Sequence, residues 1–140
     1  MSKSREALNF FLNHPKIHPN ISPDGTGYID AGELLSRPDT YFFNFGGGAV
    51  LFIASRPNEY RIDAYFLSKK EKNGRIREAI EFMFLTGAEK IIAEIPAFNR
   101  PSRYMAAHFG FSRAGTSGQW IRNGKSYDIV RYQLVRKWEA

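Results

Sequence analysis

The chain has 140 residues, the length of a single domain (1–140), and 43% of them are hydrophobic, enough for a packed core. It has no cysteine, which excludes disulfide frameworks, thiolate metal sites and cysteine nucleophiles. Lys and Arg number 20 and Asp and Glu 14, so the net charge is +6, which suits an anionic partner without naming one.

In chain order, Ala7, Leu8, Phe11 and Leu12 recur at helical spacing and predict an amphipathic helix over 4–13, ended by Pro15 and Pro19. Residues 16–39, rich in Pro, Gly, Asp and Ser, read as a long loop with one helical turn near Glu33, Leu34 and Leu35. An aromatic strand over 41–45 and an apolar strand over 49–55 flank Gly46, Gly47 and Gly48, a hairpin signature. A third strand follows over 60–68. The stretch 69–77 is basic and leads into a helix with Ile76, Ala79, Ile80, Met83 and Phe84 as its apolar stripe. Gly87 ends that helix, and 90–95 is an apolar strand. Asn99, Arg100, Pro101 and Ser102 open another helix, with Met105, Ala106 and Phe109 toward the core and Gly110-Phe111 at its end. Two strands, 119–122 and 125–136, are joined by Asn123-Gly124 in a type I′ turn. The strand–helix–strand unit over 60–95 predicts a right-handed crossover between parallel strands, hence a mixed sheet with helices on its faces. The opening residues carry no long apolar stretch, and the longest apolar run, 49–54, is too short to span a bilayer. No membrane contact and a cytoplasmic location are therefore the expectation.

The stretch 99–115, NRPSRYMAAHFGFSRAG, resembles the signature of the GNAT superfamily of acetyl-CoA-dependent N-acyltransferases, with Asn99, Ser102, Met105, Gly110, Phe111 and Gly115 in order. The tail, with Gly124, Asp128, Arg136 and Trp138, resembles the branch that acetylates the N-termini of ribosomal proteins. The resemblance runs from Thr40 to the C-terminus. The family opens with a strand before its first helix, whereas this chain begins with a helix. Trimmed members of this kind resemble small acetyltransferase-like proteins of tailed bacteriophages. The resemblance implies an α/β fold with a mixed, mostly antiparallel sheet, a V-shaped splay between two central strands, and helices on both faces. It implies acetyl-CoA as co-substrate and an amine of a peptide or protein as acceptor.

Carried onto this chain, the cofactor-binding residues are Leu67, Lys69, Gly74, Arg75, Ile76 and Arg77 around the pyrophosphate, with Asn99 near the thiol. The family's pyrophosphate loop has two small positions, which here fall on Arg75 and Arg77, leaving Gly74 one residue out of register. These arginines either fill the phosphate site or contact phosphates directly. The tyrosine that protonates the leaving thiolate in many members is replaced by Ala106, and Tyr104 would point elsewhere. Ser102 matches the serine thought to serve instead in the ribosomal branch; as a bare residue it also reads as an ordinary helix N-terminal serine. A base for the attacking amine is expected among Glu94, Asp63 and Glu59, with Glu94 preferred.

Residues 22–33 resemble a single EF-hand calcium loop, with Asp24, Thr26, Tyr28, Asp30 and Glu33 at ligand positions and Gly27 at the turn. Ser22 at position 1 departs from it, and no second hand is present. A Gly/Asp turn loop ending in a short helix, with Asp30 near its start, is the preferred reading, and no metal site is assigned. The aromatics alternate within strands as core residues do, which argues against a nucleic-acid stacking platform. The alternative function is a GNAT-fold structural or interaction protein without chemistry.

Overall fold

The computed structural model describes residues 3–22 and 27–137. The apolar run that begins at Ala49 has no polar face, and it forms the most buried strand. Strand β2 (Gly48–Arg56) pairs with β1 (Thr40–Asn44) on one side and β3 (Glu59–Phe66) on the other. Val50 and Phe52 face one side of the sheet and Ala49, Leu51 and Ile53 the other, all at most 4% exposed. Burying Phe52 alone contributes about 1.5–3 kcal/mol. Helices accordingly cover both faces. On one side lie α4 (Lys72–Leu85) and α5 (Arg100–His108), with Ile76, Ala79, Ile80, Met83 and Ala106 in the core. On the other lies α1 (Lys3–Leu12), with Leu8, Phe11 and Leu12 inward.

The six strands run in the order β1-β2-β3-β4-β6-β5, with β4 (Lys90–Pro96), β5 (Ser112–Arg122) and β6 (Lys125–Val135) completing the sheet. Every pairing is antiparallel except β3–β4, as the crossover predicts. Asn123 and Gly124 have φ of 50° and 78°, as a type I′ turn requires. Gly87, at φ 120°, lets the Ala88 N–H reach back to the Met83 carbonyl at 2.9 Å.

Three expectations need correction. The long loop holds two short helices, α2 (His18–Ile21) and α3 (Gly32–Ser36). Pro19 lies in the first turn of α2, where its missing N–H costs nothing. Helix α4 starts at Lys72, so Gly74, Arg75, Ile76 and Arg77 are helical and the connecting loop is only 67–71. Strand β5 starts at Ser112, not 119; its first eight residues are all exposed and carry no apolar alternation, so their pairing with β6 is what makes them a strand. Trp138 of the tail motif lies outside the described residues.

Candidate active site

The parallel ladder between β3 and β4 is short. Glu59 pairs with Lys90, Tyr60 with Ile91 and Arg61 with Ile92, and there it stops. Beyond it β3 continues to Phe66 and β4 to Pro96. The two strands diverge and leave backbone N–H and C=O groups facing each other across a gap. A cleft of about 690 Å³ occupies the splay. Ile76, Ile80, Met105 and Phe109 line it from α4 and α5, and Ile17, Asn20 and Ile21 from the α2 region.

The strand side chains in the cleft are placed by register, because paired residues share a face of the sheet. Arg61 and Asp63 on β3 therefore share the α1-side face with Ile92 and Glu94 on β4. Glu94 pairs with Arg131 of β6 and accepts a 2.5 Å hydrogen bond from the Ser117 hydroxyl. Asp63 is 3.2 Å from the Arg61 guanidinium. Burial raises the Asp63 pKa above the usual carboxylate range; the nearby Glu94 charge adds to this, and Arg61 opposes it. The Tyr65 hydroxyl, buried on the same face, is held neutral far above its ordinary value by the same desolvation.

Asn99 is the N-cap of α5, accepting a 3.2 Å hydrogen bond from the Ser102 N–H. Arg103 fixes this helix to the sheet, donating to the Tyr132 hydroxyl and the Ala97 carbonyl at 3.2 and 3.1 Å. Asn99 and Ser102 both line the cleft. Ala106 is buried and Tyr104 is 73% exposed, so no tyrosine of α5 reaches it.

At the other lip, the first-turn N–H groups of α4 have no intrahelical acceptors. A Cβ added at Gly74 would meet nothing within 4 Å, so the approach to this turn is open. Arg75 does not block it: its guanidinium lies 5.2 Å from the Phe45 ring centre and pairs with Glu71 and Glu78 at 3.8 and 3.3 Å. Arg77 lies over Phe109 of α5, 5.5 Å from the ring centre. Lys72 lines the cleft, and burial together with Lys69 lowers its pKa.

No family model matches the chain, and no curated protein matches it in sequence. Solved structures do match. A Bacillus subtilis acetyltransferase in complex with CoA has a TM-score of 0.61 at 20% identity, over 76% of this chain and 82% of its own. The spermidine N-acetyltransferase of Vibrio cholerae, solved with CoA and spermine, has 0.57 at 18%, over 63% and 57%. A Salmonella typhimurium protein described as an acetyltransferase, with acetyl-CoA bound, has 0.59 at 18%, over 67% and 60%. The fold is that of the GNAT acetyltransferases. Against several of these structures the chain spans less than two thirds of their length.

Within this GNAT fold, Ser102, Glu94, Ile76 and Asn99 from the sequence reading line the cleft. Gly74 sits open on the first turn of α4, and Lys69 is exposed on the loop before it. Leu67 packs into the core on the α1 side and donates its N–H to the Gly47 carbonyl at 3.0 Å. Glu59 drops out as a base: it stands before the splay, bonded to Ser55 at 2.8 Å and to Lys90 at 3.8 Å. The calcium reading loses its support as well. Asp30 is taken by Arg5, the Gly32 N–H and Asn9, and Glu33 pairs with Arg37; Asp24 and Thr26 lie outside the described residues. The sequence reading missed Trp120 and Phe98 as cleft residues; Lys72, one of the basic residues of the stretch 69–77, does line it. The alternation of Trp120 with Arg122, and of Lys125 with Tyr127, across the Asn-Gly turn was the available signal.

Proposed function

We propose that this protein is a cytoplasmic N-acetyltransferase that moves the acetyl group of acetyl-CoA to an amine of a peptide or protein. The observation that carries this is the early end of the β3–β4 ladder, which opens a cleft through the sheet beside the first turn of α4. The pantetheine arm would lie along the freed strand edges. The pyrophosphate would sit at the α4 N-terminus, where the N–H groups and helix dipole favour an anion and Gly74 permits close approach. Lys69 and Lys72 would add charge there, and Ile76 and Asn99 would frame the arm, while Leu67 supports the strand end from the α1-side core. Arg75 and Arg77, turned onto aromatic rings, leave that turn accessible. The peptide acceptor is supported by the likeness of the tail to the ribosomal N-terminal branch.

In the reaction, Glu94 receives the incoming ammonium and Asp63, desolvated and proton-seeking, serves with it as base. The amine nitrogen bonds to the acetyl carbon, the carbon–sulfur bond breaks, and the thiolate takes a proton from the Ser102 hydroxyl, which solvent restores. The rate should rise with pH as Asp63 ionises. Calorimetric titration with acetyl-CoA at low and moderate salt tests the first step, with a micromolar Kd expected. Ser102→Ala should then lower turnover about 100-fold while sparing the melting temperature; unchanged turnover removes Ser102 from the mechanism.

A second reading, a GNAT fold kept for interaction without chemistry, is favoured by the buried Ala106 where many members place their acid. Absence of acetyl-CoA binding at millimolar ligand would decide for it.

A further inference from the structure

The hairpin β5–β6 carries more than the cleft needs. By register, Trp120 lies opposite Tyr127 and Arg122 opposite Lys125. These four share the face that holds Ile129 and Arg131, and therefore Glu94 and Asp63. One face of the sheet thus runs from two carboxylates at the splay, past an aromatic wall, to two cations at the hairpin tip. Phe98 joins the wall: its ring is 4.9 Å from Tyr127 and 6.3 Å from Trp120, measured between ring centres. Phe98 lines both the main cleft and a second depression of about 470 Å³ formed with Arg122, Asn123, Lys125 and Tyr127, so the two adjoin.

Three groups along this track are unspent. The Trp120 indole N–H is buried and has no hydrogen-bond partner. Buried donors are ordinarily paired, and Trp120 lines the cleft, so its N–H is the donor that an acceptor atom entering there would take up. The Arg122 guanidinium is held 5.2 Å above the Phe98 ring, and neither it nor Lys125 forms an ion pair with a described residue. The tight Asn123-Gly124 turn fixes the backbone of Arg122 and Lys125 side by side.

We propose that the acceptor is the N-terminus of an acidic peptide, its amine at Asp63 and Glu94, its backbone carbonyl at Trp120, and its acidic side chains at Arg122 and Lys125. This rests on the acetyltransferase reading and adds its substrate class. Charge order favours a peptide: Asp63 and Glu94, set beside Arg61 and Arg131, offer carboxylates to an ammonium at the splay, and Arg122 and Lys125 offer cations to carboxylates at the tip, whereas a phosphate backbone has no ammonium for the first pair. The spacing sets where the acids stand. From Arg131, opposite Glu94, to Lys125 the strand rises roughly 20 Å at about 3.4 Å per residue. An extended peptide covers that distance in about six residues, which places the acids near positions five and six.

The test measures peptide binding directly by calorimetry, with and without CoA. The probes are a free-amine hexapeptide with Glu at its last two positions, its Gln counterpart, and its N-acetylated form. The Glu peptide should bind at least tenfold more tightly than either. Arg122→Gln/Lys125→Gln should remove the preference for Glu over Gln, and Trp120→Phe should weaken all peptides alike. Lys3→Glu, a charge change on an exposed α1 residue, should change nothing. Equal affinity for the Glu and Gln peptides, or an unaltered preference in the double variant, overturns the proposal. So does a single-stranded oligonucleotide that binds more tightly than the Glu peptide. Because binding is read without acetyl transfer, failure of the acetyl-CoA titration leaves this result separately legible.

Discussion

Gly48 reads in the sequence as the last glycine of a turn, yet its backbone is not in the left-handed region. It is small for another reason. A Cβ built there would stand 2.1 Å from Cδ1 and 2.5 Å from Cε1 and Cγ of Phe66, its register partner on β3. Ordinary contact begins near 3.4 Å, so Gly48→Ala must drive the ring aside by about 1.3 Å. Phe66 lines the cleft and packs against the α4-side core, so the ring moves into the cleft or strains the strand. Overpacking of this kind costs about 1–3 kcal/mol. With an unfolding entropy near 2.1 cal/mol/K per residue, the chain loses about 3 °C per kcal/mol, a fall in Tm of about 3–10 °C. Thermal unfolding followed by circular dichroism measures it, and acetyl-CoA affinity should fall several-fold in the same variant. Gly48→Ala combined with Phe66→Ala should cost less than the sum of the two single changes, because the clash partner is gone. A Gly48→Ala Tm within about 1 °C of the parent, less than a third of a kcal/mol, would refute the packing described for this corner of the cleft.

Asn99→Ala removes the α5 N-cap and should cost about 1 kcal/mol, near 3 °C in Tm. Asn99→Asp, which keeps an acceptor for the Ser102 N–H, should restore most of it. Hydrogen bonding to Arg5, then the Gly32 N–H, lowers the Asp30 pKa from 3.8 to about 2. A depressed carboxylate contributes stability that is present above the unfolded value and lost as pH falls toward the folded one. Tm measured from pH 5 to pH 2 should therefore drop less steeply in Asp30→Asn than in the parent. Because Arg5 already occupies Asp30, millimolar calcium should leave the Tm unchanged; a calcium-dependent rise would restore the EF-hand reading.

Local chemistry made several elements legible from residues alone. The α4 stripe of Ile76, Ala79, Ile80 and Met83 is set by helical period, the β5–β6 turn by the φ demands of Asn123-Gly124, and the α5 start by Asn99 and Pro101. Each depends on neighbours within a few positions. The family resemblance, carried by residues 99–115, pointed to the fold that the solved structures share. The first half of β5 and the helix α2 escaped, because exposed polar residues and a proline show no period. What the tertiary structure alone decided is which residues meet. That Arg75 and Arg77 fold onto aromatic rings away from the helix start follows from how α4 packs, and that the β3–β4 ladder stops after Arg61 and Ile92 and that Asp63, Glu94, Trp120 and Arg122 share one face follow from strand register. Register is fixed by burial on both faces of a six-stranded sheet at once. A chain read one residue at a time carries no record of it.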